Sequence, residues 1–219
     1  METPTSLLLD LVVSHMFQEN AFIARRPSRS DCLIIDPGFD ADQIIVFLEE
    51  KNVTPAAILN THGHADHIAG NAALKRRWPQ CPLCIGADDA NKLTDPQANL
   101  SGPFGFGLTS PAADELLREG RGYSAAGFDL EILETPGHSA GHVVYLWKGQ
   151  TPWVVFGGDL LFRGSVGRAD FPDSDPRLLV RSIRTKLYSL PDDTVVYPGH
   201  GEETTIGEEK RYNPFVRGQ

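Results

Sequence analysis

Four residues that can bind a metal ion stand within six positions of the sequence: His62, His64, Asp66 and His67. His62 and His64 are two positions apart, so in an extended or loop backbone their side chains project in the same direction. Asp66 and His67 are adjacent and therefore diverge, which allows them to serve a second centre beside the first. Imidazole and carboxylate ligands suit zinc, iron or manganese, and mixtures of the two are typical of catalytic sites. The stretch therefore predicts a catalytic metal centre.

Three further ligand-type residues, His138, Asp159 and His200, share one sequence context. Each follows an apolar run and then a glycine, as in the run 194–197 that leads into Pro198-Gly199-His200. Such a run predicts a buried strand, and the breaker bends the chain where the ligand appears. Layered α/β proteins build their sites on loops at strand ends. Since five of the seven histidines fall in these motifs, we expect all of them to meet at one site.

The elements that must position these residues follow from hydrophobic periodicity and from helix and strand breakers. In the first half, the pattern predicts strands over 7–13, 20–25, 32–35 and 56–60, and helices over 40–50 and about 68–77. The second half predicts a β-rich region over 119–156, a helix over about 175–188, a strand over 194–197 and a short helix that begins near Thr205. Between the halves, the glycine- and proline-rich stretch 95–111 predicts a long loop that crosses the site. Strands that alternate with helices in both halves predict an α/β fold, an αββα sandwich of two packed mixed sheets with helices outside, in one domain over residues 1–219.

Length and composition restrict the class of protein. A chain of 219 residues with 41% hydrophobic and 22% charged residues suits a globular domain with a sizeable core. The net charge of −9 argues against general binding to nucleic acid or to anionic membranes. No apolar run reaches the length of a transmembrane helix, and residues 1–6 lack the basic region of a signal peptide. We therefore expect a cytoplasmic protein with neither nucleic acid nor membrane as a partner.

Cys81 and Cys84 form a C-x-x-C spacing, which suggests a zinc or redox site. A zinc site would need two more soft ligands, and only Cys32 remains. Three cysteines in the chain fit a reducing compartment. We therefore interpret residues 81–85 as a short buried strand whose cysteines are structural.

The seven ligand-type residues resemble those of the metallo-β-lactamase fold superfamily, and within it those of the glyoxalase II (hydroxyacylglutathione hydrolase)-like branch. Three further motifs carry the resemblance, which covers most of residues 7–217: Ile34-Ile35-Asp36-Pro37-Gly38, Thr135-Pro136-Gly137-His138-Ser139-Ala140-Gly141-His142 and Gly164-Ser165-Val166-Gly167-Arg168-Ala169-Asp170-Phe171. The resemblance implies the same αββα architecture. Glyoxalase II usually continues into a C-terminal helical extension that helps to hold glutathione, and we expect a domain without that extension here.

The resemblance implies a site for two divalent metal ions, zinc in the first place and iron or manganese as alternatives. The implied ligands of one ion are His62, His64 and His138. Those of the other ion are Asp66, His67 and His200, and Asp159 is implied to bridge the two ions. Asp66 and Asp159 are therefore expected to be catalytic as well as ligating. Two such ions lower the pKa of a shared water, and a hydroxide that bridges them would attack a thioester carbonyl. The implied substrate is a small molecule, an S-2-hydroxyacylglutathione such as S-lactoylglutathione or a related acyl thioester.

Other residues around the ligands are expected to bind substrate or to support the site. Arg168 is the implied substrate-binding residue, because it stands where glyoxalase II has a lysine that meets the glycine carboxylate of glutathione. Asp170 stands where that family has a tyrosine, which implies weaker or rearranged glutathione binding. Asp36 is expected either to orient a ligand histidine or to form a turn. His15 and His142 are expected to be structural.

The main alternative is a persulfide dioxygenase, an oxidoreductase that uses one iron and O₂. That family resembles this chain around Gly167–Phe171, but the motif Tyr197-Pro198-Gly199-His200-Gly201 is closer to the hydrolase form. A lactonase is a further alternative, because the same hydroxide would open an ester ring. A binding module without catalysis is disfavoured, since all seven ligand positions are present.

Overall fold

The computed structural model describes residues 6–27 and 29–218, and its first sheet comes from the N-terminal half of the chain. The sheet has six strands that lie side by side in chain order: β1 Leu8–Val13, β2 Asn20–Arg25, β3 Asp31–Ile35, β4 Thr54–Asn60, β5 Leu83–Gly86 and β6 Glu115–Leu117. The first three strands pair antiparallel, and β3 to β6 pair parallel. Parallel strands end at one edge of a sheet, so the loops that follow them collect there.

The second sheet comes from the C-terminal half and is also mixed. Its strands lie in the order β14-β13-β10-β9-β8-β7, and their bounds are β7 Tyr123–Ala125, β8 Phe128–Glu134, β9 Val143–Trp147, β10 Val154–Gly158, β13 Val195–Pro198 and β14 Thr204–Thr205. One pair, β10 with β13, is parallel. A small hairpin, β11 Leu161–Phe162 and β12 Ser165–Val166, lies between β10 and β13 in sequence.

Helices cover the outer faces of both sheets. They are α1 Ala41–Lys51, α2 Ala65–Ile68, α3 Asn71–Arg77, a 3₁₀ helix Ala87–Leu93, α4 Pro176–Ser182, a π-helical turn Ile183–Leu187 and α5 Ile206–Tyr212. Within residues 6–27 and 29–218, no helix combines the length and apolar character that a membrane crossing needs.

Alternating side chains on the strands divide the apolar core into three layers. Phe22 and Leu33 point toward the second sheet and pack in one cluster with its Phe156 and Trp147. Their neighbours Ile23 and Ile34 point the other way and pack with α1 and α3, while a third cluster joins the second sheet to α4 and α5. Neighbouring residues on a strand point to opposite faces of the sheet. Each sheet is therefore covered on one face by the other sheet and on the other face by helices. The layers are helix, sheet, sheet and helix, which confirms the predicted αββα sandwich.

One predicted helix is wrong in its extent. The structure breaks the segment 68–77, because α2 ends at Ile68 and α3 begins at Asn71. Between them, the Gly70 N–H donates to the Pro37 carbonyl at 2.7 Å, and a Cβ on Gly70 would lie 2.8 Å from that oxygen. Glycine thus lets the chain approach the turn after β3 closely, and this tertiary contact interrupts the helix.

The predicted helix over 175–188 is confirmed, but its last turn is π-helical. Asp175 caps its start by accepting from the N–H groups of Arg177 and Leu178. Thr205 likewise caps α5, as its spacing to Glu208 predicts.

The buried carboxylate of Asp89 joins loops from the two sheets. Asp89 lies in the 3₁₀ helix after β5, and its oxygens accept from the N–H of Gly63 at 2.8 Å and from the N–H of Gly141 at 2.7 Å. It also accepts from the Ser139 hydroxyl. Buried Lys92 lies 3.3 Å from the same carboxylate and 2.6 Å from Asp173. Because Gly63 follows β4 and Gly141 precedes β9, this network fixes the two sheets' loops relative to each other.

We expect Asp89→Ala to lower the free energy of unfolding by about 3 kcal/mol, because it leaves two buried N–H groups and part of the Lys92 charge without a partner. The matched control is Asp88→Ala, which removes an exposed carboxylate that pairs with Arg118 and should cost much less. Guanidinium unfolding curves would measure the loss of stability in both variants, provided that the dependence of the unfolding free energy on denaturant concentration keeps the same slope. Equal losses in the two variants would contradict the role assigned to Asp89.

Candidate metal centre

All seven predicted ligand residues lie at one edge of the sandwich, each after a strand. His62 and His64 lie in the turn after β4, and Asp66 and His67 lie in the short helix α2 that follows. His138, Asp159 and His200 follow β8, β10 and β13 of the second sheet. The site therefore forms where the loops of the two sheets meet.

Three histidines form the first ligand set. The His62 Nε2 atom lies 3.0 Å from His64 Nδ1, and His138 Nε2 lies 3.2 Å and 2.9 Å from these two atoms. All three side chains are buried. A neutral imidazole has one donor and one acceptor nitrogen, so three nitrogens that face one another at these distances gain little as hydrogen bonds. Their convergence is instead what a tetrahedral metal ion requires of three protein ligands.

Carboxylates and histidines form the second ligand set. His200 Nε2 lies 3.4 Å from Asp66 Oδ2, and His67 Nε2 lies 3.9 Å from the same oxygen. Asp159 lies between the two sets, with Oδ1 3.4 Å from His67 Nε2 and Oδ2 3.5 Å from His200 Nε2. The same Oδ2 is 3.6 Å from His138 Nε2, in the first set. Asp159 thus has the position of a shared ligand.

Two buried polar atoms show that the residues fit metal ions. His67 Nε2 and Asp159 Oδ1 are both buried, and although they lie 3.4 Å apart, neither atom makes a hydrogen bond of normal geometry. An unpaired buried polar atom is costly and rare in folded proteins. Both atoms belong to groups whose potential ligand atoms lie within 4.8 Å of one another. A divalent cation would satisfy both, and nitrogen and oxygen donors in this mixture suit zinc, iron and manganese alike.

The electrostatics of the site favour cations. Burial, together with neighbouring histidines, lowers the pKa of His62 well below its usual range, so this ring is neutral and ready to bind a metal. Burial alone would raise the pKa of Asp159, but His67, His200 and His138 outweigh it and lower that pKa. Burial would likewise lower the pKa of His67, but Asp159, Asp66 and Asp36 raise it well above normal. The carboxylates therefore hold positive charge at the second set.

Asp36 orients two of the ligand-bearing segments. Its carboxylate accepts from the Thr61 N–H at 2.7 Å and from the Thr61 hydroxyl at 2.6 Å, and it lies 3.1 Å from His67 Nδ1. Carboxylates that pair with the distal nitrogen of a ligand histidine fix its ring and tautomer. Asp36 also has a positive φ of 48°, so both roles predicted for it are present, ligand orientation and turn formation.

Backbone carbonyls orient two further histidines. His138 Nδ1 lies 2.7 Å from the Arg168 carbonyl oxygen, and His200 Nδ1 lies 3.1 Å from the Phe17 carbonyl oxygen. A carbonyl only accepts, so each Nδ1 carries the proton and each Nε2 directs a lone pair into the site.

Four residues support the site although their sequence context does not indicate it: Thr61, Asp89, Thr135 and His142, the last of which was expected only to be structural. The His142 ring accepts from the Asp159 N–H at 3.1 Å, and its other nitrogen lies 2.9 Å from the Thr135 hydroxyl. His142 is thus a positioning residue for Asp159. The sequence does hold one indication of this role, because His142 is the second histidine of the motif His138-Ser139-Ala140-Gly141-His142. His15, by contrast, lies at the surface and pairs with Asp40.

Two other predicted features also have clear positions. Arg168 lines the cavity in front of the ligands, where its guanidinium pairs with Asp170 and lies 4.5 Å from the centre of the Phe171 ring. Its role as a substrate anchor stays a prediction.

Cys81 and Cys84 are buried and unbridged, and burial raises the pKa of the Cys84 thiol to about 12. Of the side chains that the structure describes, the potential metal clusters include neither cysteine.

Comparison with known proteins places the chain in a family. A family model for the metallo-beta-lactamase superfamily matches residues 16–200. The chain is 41% identical over 193 residues to the probable metallo-hydrolase YqgX of Bacillus subtilis (strain 168), which covers 87% of this chain and 90% of that protein. It is 36% identical over 215 residues to the hydroxyacylglutathione hydrolase GloC of Haemophilus influenzae, which covers 95% of this chain and 97% of that protein.

Solved structures show the same fold. The BLEG-1 B3 metallo-beta-lactamase superposes with a TM-score of 0.90 at 35% identity, over 95% of this chain and 99% of that one. TTHA1623 in a di-iron-bound form gives 0.83 at 35% identity, over 94% and 100%. ETHE1 from Myxococcus xanthus gives 0.80 at 28% identity, over 97% and 85%. With a family model that spans every ligand position from His62 to His200, the chain belongs to the metallo-beta-lactamase superfamily.

Proposed function

We propose that the protein is a binuclear metal-dependent hydrolase that cleaves a thioester, either an S-2-hydroxyacylglutathione such as S-lactoylglutathione or a related acyl thioester. One observation carries this proposal: two convergent ligand sets lie side by side, and Asp159 reaches both. The similarity to the hydroxyacylglutathione hydrolase GloC supports the thioester, and the similarity to the metallo-hydrolase YqgX supports hydrolysis.

The chain's own residues define what each part of the site does. His62, His64 and His138 would hold one ion, Asp66, His67 and His200 would hold the other, and Asp159 would contact both. When bound, two divalent ions lower the pKa of a shared water and polarise the carbonyl of the substrate. Asp66 lines the open cavity, where its carboxylate can accept a hydrogen bond from the attacking water. Since a thiolate is a good leaving group, the reaction needs no protein acid.

The likeness to ETHE1 supports a second candidate, the iron-dependent persulfide dioxygenase. Such an enzyme needs one iron, which non-haem oxygenases hold with two histidines and one carboxylate, and His62, His138 and Asp159 would supply that set. The second set, with its buried unpaired His67 Nε2, has no use in that reaction, and this favours the hydrolase.

The metal stoichiometry should be about two ions per chain, because each ligand set binds one. Elemental analysis of the zinc-loaded protein should find this value, and His67→Ala should lose about one ion. His15→Ala changes an exposed histidine outside the site and should keep two. A value that never exceeds one ion in the intact protein would contradict the binuclear proposal.

Arg168→Ala should raise KM about tenfold and leave kcat nearly unchanged, because an anchor for a remote carboxylate acts equally in the ground and transition states. Steady-state kinetics with S-lactoylglutathione would measure both constants. Arg118→Ala is the matched control, since Arg118 makes a similar exposed pair with Asp88 outside the cavity. A large fall in kcat at constant KM would place Arg168 at the reacting centre instead.

Thioester cleavage should proceed without oxygen and should survive replacement of iron by zinc, because hydrolysis takes its oxygen from water. Asp159→Asn should abolish most of it, since a neutral amide stabilises two cations poorly. The measurement is thiol release under strict anaerobiosis. Oxygen uptake with glutathione persulfide, together with negligible thioester cleavage by any metal form, would instead support the dioxygenase.

A further inference from the structure

Four phenylalanine rings from three separate segments meet at the rim of the metal cavity. Phe17 lies in the turn between β1 and β2, Phe39 lies in the turn after β3, and Phe104 and Phe106 lie in the loop 95–111. The Phe17 ring centre is 6.0 Å from those of Phe39 and Phe104 and 6.4 Å from that of Phe106. These distances are typical of interacting aromatic rings. We name this group of four the phenylalanine wall.

The phenylalanine wall leaves much of its apolar surface in contact with water. Phe104 is 59% exposed, Phe17 is 45% exposed and Phe106 is 38% exposed. A group of exposed aromatic rings at a cavity is characteristic of a binding site. These three rings line the same cavity as the metal-ligating groups Asp66 and Asp159, so a molecule that covers the rings also reaches the reacting centre.

The backbone holds the wall at a fixed distance from the second ligand set. Phe17 and Gln18 have positive φ angles of 63° and 54°, a conformation that is uncommon for residues with side chains. The carbonyl oxygens of both residues lie 3.1 Å and 3.2 Å from His200 Nδ1. The turn that presents the Phe17 ring is therefore the turn that orients a ligand histidine.

The charges of the cavity favour an apolar ligand on this side. Apart from histidines, the only basic side chain among the described residues that line the cavity is Arg168. Its guanidinium is already paired with Asp170 and lies over Phe171. The Arg168 guanidinium lies over Phe171, whose ring centre is 5.7 Å from that of His138. The backbone carbonyl of Phe17, by contrast, contacts His200. A substrate whose polar thiol part reaches Arg168 would thus place its acyl part against the wall.

We infer that the phenylalanine wall is a subsite for an apolar acyl chain, so that thioesters with long apolar acyl groups are cleaved more efficiently than those with short ones. This inference rests on the proposed thioester hydrolysis and specifies its substrate. In that reaction water adds to the carbonyl carbon, the carbon–sulfur bond breaks, and a fatty acid and a thiol leave. Contact with the rings removes the acyl chain from water, and the gain grows with each CH₂ group.

The first test is a series of glutathione thioesters that differ only in their acyl group: acetyl, butyryl, hexanoyl and octanoyl. With the zinc-loaded protein, kcat/KM should rise about twofold to fourfold for each added CH₂ group. The double variant Phe104→Ala/Phe106→Ala should lower the octanoyl-to-acetyl ratio of kcat/KM about tenfold. Phe215→Ala removes an exposed ring outside the cavity and should leave that ratio unchanged. A flat series in the unmodified protein would overturn the subsite.

The second test measures binding without catalysis, so that the subsite and the hydrolase can fail separately. In calorimetric titrations of the zinc-loaded protein, octanoate should bind at least tenfold more tightly than acetate, and the double variant should lose most of this preference. If octanoate binds in this way but no thioester is cleaved, the subsite stands and the hydrolase proposal is wrong. Equal affinity for the two acids, or undetectable octanoate binding, would overturn the subsite whether or not thioesters are hydrolysed.

Discussion

The structure depends on holding an ionised, buried Asp159 between two groups of histidines. Burial opposes a charged carboxylate, and the surrounding imidazoles outweigh that opposition. Such a balance requires the ligand atoms to stay within a few ångströms, although they come from loops of two different sheets. Buried hydrogen bonds provide this constraint: Asp36 joins Thr61 to His67, and Asp89 joins Gly63 to Gly141. The sandwich therefore serves as a rigid frame for a site on its edge.

The convergence of the seven ligand-type residues and most elements could be predicted from the sequence, because both depend on local signals. Apolar runs mark the strands, and a breaker followed by histidine or aspartate marks the site. The interruption at Gly70 could not be predicted, since it comes from a contact with Pro37 more than thirty positions earlier. The roles of Asp89 and Lys92 were hidden for the same reason: their partners lie in loops distant in sequence. Nor does any local pattern show that Phe17 and Phe104 meet.

Within the family, one fold accompanies proteins with different activities. Relatives of this chain include a hydroxyacylglutathione hydrolase and a B3 metallo-beta-lactamase, each with at least 35% identity. Membership of the family therefore leaves the substrate open, and the residues that line the cavity must determine it. In this protein the cavity is lined by a paired arginine that lies over Phe171 beside His138, and by exposed aromatic rings, one of them on the turn that contacts His200. We infer that the loops that carry these side chains determine specificity.

Anomalous X-ray diffraction from crystals of the zinc-loaded protein would test the binuclear site, because it locates each ion relative to its ligands. We predict two peaks about 3.5–4 Å apart, one beside His62, His64 and His138 and the other beside Asp66, His67 and His200, with Asp159 in contact with both. A single peak at the three histidines, with Asp66 and His67 directed away from any ion, would contradict it.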